Sequence, residues 1–271
     1  VPASSVSLEE YAEAFMAGFA GYYMPLMLDA ARFARKVRVE QCDLQYSLIA
    51  YDGDRHAGAA VLSIRGYEGW VGGFGVVPEL RGRGVGRLLI EALFESARAA
   101  RLRRLSLEVL LQNVAARRLY EAVGMHVVRE MLVLERGAAE EGVPSALEGG
   151  VLEEAPRAEL LSHFTRLHPI APAWQRDLPT LLTGRSRGLR LGDRESPRAY
   201  ALLSEVIDGY TYLTDLAAED ADAARELSAG LAYVGGALRV INEPEQSLFV
   251  APLIEQGFVA SYRQHEMAIE L

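Results

Sequence analysis

The chain has 271 residues, 50% hydrophobic and 24% charged, with a formal net charge of -9, enough for one large or two modest domains of ordinary globular composition. The acidic balance argues against nucleic acid as the main partner, and no apolar run is long enough to span a bilayer. No basic-then-apolar leader points to secretion, so the expected location is cytoplasmic, and the single cysteine, Cys42, excludes an internal disulfide.

Ser7-Leu8-Glu9-Glu10 has the S-x-x-E form of a capping box and starts a helix running to about Phe19. A second helix is predicted from Asp29 to Val39, with Gly21-Tyr22-Tyr23-Met24-Pro25 as an aromatic break between the two. Tyr46–Tyr51 and Ala57–Arg65 read as a hairpin around Asp52-Gly53. Trp70–Val77 is the next strand and Leu88–Ala100 a long amphipathic helix. Leu105–Leu110 is a strand, Asn113–Val123 a helix stopped by Gly124, and His126–Glu135 a further strand. That order predicts an α/β protein, a mixed sheet with helices on both faces.

The run from Phe74 to Arg87 carries the most chemistry. An apolar strand leads into an Arg/Gly turn that opens onto a helix. Gly82, Gly84 and Gly86 remove side chains from one wall, so a ligand can approach the backbone. The first turn of the helix presents unpaired N–H groups and the positive end of its dipole. Arg81, Arg83 and Arg87 add full charges. The ligand expected there is a phosphate or diphosphate. No Lys-Ser or Lys-Thr follows the last glycine, which excludes a nucleotide-hydrolysing P-loop, and a dinucleotide fingerprint would lack its third glycine.

What fits is R-x-x-G-x-G, met by Arg81, Gly84 and Gly86. Here the chain resembles the GNAT family of acetyl-CoA-dependent N-acetyltransferases. The resemblance continues through Leu107-Glu108-Val109, Asn113, Ala116, Leu119-Tyr120-Glu121 and Gly124-Met125. It implies transfer of an acetyl group from acetyl-CoA to a small-molecule or peptide amine, by a monomer or homodimer; Ser63 and Ser106 lack a nucleophile motif and the five histidines form no metal-ligand pair, so direct transfer without a metal is expected, with no nucleic acid or membrane partner. It also implies a coenzyme site built from Gly75, Val76, Val77, Arg81, Gly82, Arg83, Gly84, Val85, Gly86, Arg87, Asn113 and Tyr120. Backbone N–H groups at Val76 and Val77 would meet the developing oxyanion. Tyr120 matches the family's general acid, against the alternative of a core aromatic. Asn113 matches a coenzyme contact and equally a helix N-cap. Glu108 is a candidate base, with Glu68, Asp43 and a water chain as competitors. Tyr22, Tyr23, Tyr67 and Trp70 would line an acceptor pocket or close the core. A protein N-terminus as acceptor and a non-catalytic acyl-CoA sensor are the alternatives.

Gly137–Gly150 lacks apolar periodicity and reads as a linker. Beyond it, Leu238-Arg239-Val240-Ile241-Asn242 and Leu253-Ile254-Glu255-Gln256-Gly257 echo the Leu105–Glu135 segment, with Gly257 against Gly124, Gln246 against Asn113 and Leu253 against Tyr120. Gly209–Asp215 would match Trp70–Val76, and the stretch that follows is shorter by about one Gly-rich loop. The expectation is two GNAT-like acyl-CoA N-acyltransferase domains in tandem: residues 1–137 with the coenzyme site, a linker over 138–150, and a degenerate repeat over 151–271 without the phosphate cradle. Its Trp174, Tyr210 and Tyr212 could wall an acceptor groove. His163 and His168 are expected to be solvated or loop histidines.

Overall fold

The computed structural model describes residues 1–24, 28–138 and 152–271. The expected linker therefore lies, except for residue 138, outside the described residues, as does Pro25 of the aromatic break. The chain packs as two compact units, one of residues 1–128 with 265–271 and one of residues 129–264.

In the first unit, α1 (Leu8–Gly18) and α2 (Ala30–Val39) precede the strands β1 (Leu48–Asp52), β2 (Arg55–Arg65) and β3 (Glu68–Val76). Then come α3 (Val85–Ala99), β4 (Arg104–Leu110) and α4 (Val114–Ala122), and β5 (His126–Arg136) begins. The caps follow the sequence: Ser7 Oγ accepts the Glu10 N–H at 3.1 Å and Asp29 Oδ1 the Arg32 N–H at 2.7 Å. β1, β2 and β3 are antiparallel neighbours, and β3 runs parallel to β4. Alternation along β2 sorts the core into two layers. Ala59 and Val61 pack with Tyr11, Phe15 and Phe33 of α1 and α2, while Ala60 and Leu62 pack with Ile90, Leu93 and Phe94 of α3.

The strand next to β4 is the last of the chain, β11 (Val259–Glu270). Within this unit Met267 is fully buried among Leu105, Leu107 and Tyr120, and the Leu271 N–H donates to the Arg103 carbonyl at 2.9 Å. The part of β5 from residue 129 onward belongs to the second unit. There it pairs antiparallel with β10 (Ala237–Pro244), Leu134 against Val240, and buries Leu132 and Leu134. The packing thus departs from the expected division at residue 137: each of the two segments read as a closing strand enters the other unit. Both have the same strand period, and nothing local to either says which sheet it joins.

The second unit adds β6 (Leu152–Ala155), three short helices α5 (Arg157–Leu161), α6 (Phe164–Leu167) and α7 (Leu178–Thr183), β7 (Arg187–Gly192), β8 (Pro197–Ile207), β9 (Tyr210–Ala218), α8 (Ala221–Leu231) and α9 (Val250–Glu255). Its sheet order is β5-β10-β9-β8-β7-β6, with β9 parallel to β10. Only Glu219 and Asp220 link β9 to α8, and the Asp220 carboxylate accepts the Ala223 N–H at 2.8 Å, so this helix start is already capped by an acid.

β9 and β10 pair only at Tyr210–Tyr212 and Ala237–Arg239. Beyond that point sits a buried charged network. Asp215, fully buried, accepts from Tyr200 Oη at 2.8 Å and from His168 Nε2 at 3.1 Å, and Arg176 lies between Asp215 and Glu243. His168 follows α6 outside any helix or strand, as a loop histidine would, but it is not solvated. Both its ring nitrogens face acceptors, Nδ1 the Phe164 carbonyl at 2.9 Å, which favours the imidazolium. Burial opposes that charge, but the bond and the charge of Asp215 prevail and raise its pKa.

Two outcomes are expected. Met267→Ala should lower the stability of the first unit by about 2–5 kcal/mol, although the residue lies near the chain's end. Urea unfolding followed at Trp70, with Trp174 replaced by Phe, reads this directly, and an unchanged midpoint would contradict the strand assignment. For His168, a raised folded pKa means its stabilisation is complete below the unfolded value of about 6.5 and is lost as pH rises through the folded value. His168→Gln should therefore cost most stability at about pH 5.5 and progressively less above neutrality; a gap that widens with pH would contradict it.

Candidate active site

β3 and β4 exchange backbone pairs only at Glu68–Trp70 and Arg104–Ser106, then part. A cleft of about 500 Å³ lies in the first unit along the freed edge of β3. It is lined by Phe74, Gly75 and Val76 of that edge, by Gly82, Gly84, Gly86 and Arg87 of the turn into α3, and by Asn113, Leu119 and Tyr120 of the α4 segment. Gly18, Phe19, Gly21, Tyr22 and Tyr23 close it from the end of α1.

The freed edge offers fewer donors than expected. The Val77 N–H is spent on the Ala57 carbonyl at 3.0 Å. By antiparallel alternation, Gly75 opposite Ala59 also faces β2, and Val76 faces the gap. Of the two donors anticipated for an oxyanion, Val76 remains and Val77 is excluded. Gly75 serves a different purpose: a Cβ there would lie 2.8 Å from the Gly18 backbone, so the absence of a side chain lets α1 rest on the strand.

The turn has the geometry of an anion cradle. Gly84, at φ +87°, is the N-cap of α3 and supplies no side-chain cap. The first N–H groups of a fifteen-residue helix therefore lack intrahelical or capping acceptors. Arg87 lines the cleft while its Nε donates to Glu91. Arg83 and Val85 do not line it. Arg81 lines it, but its guanidinium is turned to backbone: Nε donates to the Val76 carbonyl at 2.9 Å, and Nη2 to the carbonyls of Gly18 at 3.1 Å and Ala20 at 2.8 Å.

Asn113 is the N-cap of α4 that one of its two readings expected, accepting the Ala116 N–H at 3.2 Å, and it also faces the cleft. Tyr120 is buried at the cleft wall with its ring edge-on to Phe74 at 5.9 Å. Burial, with the Tyr22 phenol nearby, holds its pKa well above the usual phenol range, so it carries its proton at neutral pH. Burial and then Tyr23 push Tyr22 up to about 12. Two protonated phenols thus face one cleft.

Glu108 is not brought together with them. It lies on the strand face opposite Leu107 and Val109, and its carboxylate accepts from Trp70 Nε1 at 2.8 Å. Lys36, paired with Glu40, sits 5.3 Å from the same Trp70 ring. Among the competitors, Asp43 accepts the Gln45 N–H at 2.9 Å and Glu68 lies 4.0 Å from Arg104; neither lines the cleft. The four aromatics divide: Tyr22 and Tyr23 line the cleft, Trp70 is core, and Tyr67 stacks under Arg103. Phe19, Phe74 and Gly18 went unrecognised in the sequence. For Gly18 no local signal exists, since its need for a missing side chain comes from Gly75.

Residues 8–125 match the sequence model of the acetyltransferase (GNAT) family. No curated protein sequence matches the chain. Among solved structures, a GCN5-related N-acetyltransferase from Sphaerobacter thermophilus superposes with a TM-score of 0.67 at 16% identity, covering 100% of this chain and 93% of that one. A tandem GNAT protein from the clavulanic acid biosynthesis pathway gives 0.64 at 16% identity, covering 98% and 97%. These likenesses are of fold.

Asn and Asp are the side chains that best tolerate a left-handed backbone, so Gly84→Asn and Gly84→Asp separate strain from charge. Gly84→Asp should bind inorganic diphosphate at least about a hundredfold more weakly than Gly84→Asn, because like charges brought together cost several kcal/mol. Calorimetric titration checks this, and equal affinities would remove the anion from this turn.

Proposed function

We propose that this chain, which through residues 8–125 belongs to the acetyltransferase (GNAT) family and is an N-acetyltransferase, moves an acetyl group directly from acetyl-CoA to a primary amine. The observation that carries the reading is the conjunction of an uncapped, glycine-lined helix start with a parted strand edge and a protonated Tyr120 in one cleft. The coenzyme diphosphate would lie on the N–H groups that open α3, beside Arg87. Its pantetheine arm, which carries amides like a peptide, would follow the freed edge of β3 toward Val76.

In that pose the amine, neutral after losing its proton to water, attacks the thioester carbonyl. The carbonyl oxygen gains charge, and the Val76 N–H is the donor available to it. The C–S bond then breaks, and Tyr120, high in pKa and therefore protonated, gives its proton to the leaving thiolate; the proton that the attacking nitrogen sheds as the amide forms passes through water to the Tyr120 phenolate and restores it. No nucleophilic side chain is required, so the transfer forms no acyl-enzyme. Glu108, held by Trp70 away from the cleft lining, gives no support to a base role there. A protein N-terminus as the acceptor would be supported by Glu108, Asn113 and Tyr120 meeting in one cleft, and Glu108 does not line it.

Incubation with acetyl-CoA and a panel of phenethylamine, spermidine, glucosamine and a peptide with a free N-terminus should release free thiol with at least one amine. Binding without thiol release from a broad panel would favour a sensor instead. Tyr120→Phe should leave acetyl-CoA affinity nearly unchanged and lower kcat by about a hundredfold; an equal kcat would remove Tyr120 as the acid.

A further inference from the structure

Arg81 matches the first position of the R-x-x-G-x-G signature, and its charge was expected to serve the anion. Its bonds describe another task. Nε and Nη2 donate to three carbonyls, those of Val76, Gly18 and Ala20. Gly18 is the last residue of α1, where helix carbonyls lack intrahelical partners and carry the negative end of the dipole, and Ala20 follows just past the C-cap Phe19. The third is the edge residue of β3. One planar fork therefore ties three segments of the cleft together: the turn that opens α3, the freed edge of β3, and the segment that continues into Phe19, Tyr22 and Tyr23.

The segment needs such a tie. At its last residue α1 meets β3 through the Gly18–Gly75 backbone approach, where neither residue offers a side chain; the side chain that holds the helix on the strand, Phe15 over Gly73, lies one turn earlier. After α1 the chain makes two single-turn bonds, Ala20 N–H to the Ala17 carbonyl at 3.2 Å and Tyr22 N–H to the Phe19 carbonyl at 3.0 Å. Phe19 and Tyr22 then pack edge to face at 5.1 Å, and Tyr22 against Tyr23 at 5.8 Å. Tyr22 is the phenol that faces Tyr120 across the cleft.

We infer that Arg81 is a positioning residue: it fastens the aromatic wall of Gly18–Tyr23 to the turn that opens α3 and to the β3 edge, so that the wall stands over Tyr120. An ammonium cannot do this. Lysine keeps the charge and binds phosphate well, but it is a point donor with no planar fork to span three carbonyls. Arg81→Lys therefore separates fastening from anion binding.

Hydrogen exchange on the ligand-free full chain reads the fastening itself. In Arg81→Lys the amides of Ala20 and Tyr22 should exchange about tenfold faster, the scale of one lost charge-assisted hydrogen bond, while those of the α3 interior stay as they are. The kinetic arm rests on the acetyltransfer reading and uses two donors, acetyl-CoA and S-acetylpantetheine, which lacks the diphosphate, with whichever amine of the panel above reacts best. Arg81→Lys should lower kcat/KM about equally for both donors, whereas Arg87→Ala should lower it for acetyl-CoA alone. Unchanged exchange in Arg81→Lys overturns the inference, as does a kinetic loss confined to acetyl-CoA, which would make Arg81 an anion ligand. If the unaltered chain releases no thiol from either donor, the acetyltransfer reading falls, and the exchange of Ala20 and Tyr22 still decides for or against the fastening.

Discussion

The cleft depends on one event in the sheet: β3 and β4 stop pairing after Trp70 and Ser106. Two parallel strands that stay paired leave no free edge, and buried N–H and C=O groups without partners are costly. Once the strands part, the edge of β3 must find other partners. Arg81 takes the Val76 carbonyl, and the Val76 N–H is left facing the gap. The same parting lets Phe74 and Tyr120 meet across it. A donor edge, a phenol and an anion cradle then lie along one cleft.

The second unit meets the same constraint differently. β9 and β10 also part after three paired positions, but Asp215, Glu243, Arg176 and His168 fill the space. Its helix start carries its own carboxylate, Asp220, where the first unit has Gly84 and bare N–H groups. A buried ion network of this kind contributes little net stability, yet breaking one partner leaves a buried charge exposed to no solvent. Such a network holds its members in place, and a helix start already satisfied by an acid does not attract an anion.

Most secondary-structure elements were legible because their signals are local. Ser7 and Asp29 cap helices through their own side chains, Gly53 takes positive φ in its hairpin turn, and the glycines of the cradle begin at Gly82, with only Val77 to Arg81 between them and the apolar strand that feeds them. Much of the site was legible for the same reason: Gly82, Gly84, Gly86, Arg87, Asn113 and Tyr120 all line the cleft. Val77 and Glu108 were misjudged because their roles turn on direction. The Val77 N–H faces β2 or the gap according to its register with β2, and the face that the Glu108 side chain takes follows from alternation along β4; neither is set by the residue's own type.

The sequence by itself determined the order of helices and strands in the first half, the Arg/Gly turn that opens α3, and the absence of such a turn between β9 and α8, since each rests on residues adjacent in the chain. Tertiary structure decided the rest. It placed β5 from Arg129 onward in the second unit and β11 from His265 onward in the first, turned the Arg81 guanidinium to three carbonyls, and set Gly18 against Gly75. Those outcomes join positions far apart in sequence, and which partner a strand edge, a guanidinium or a bare backbone meets is fixed by packing that no local pattern encodes.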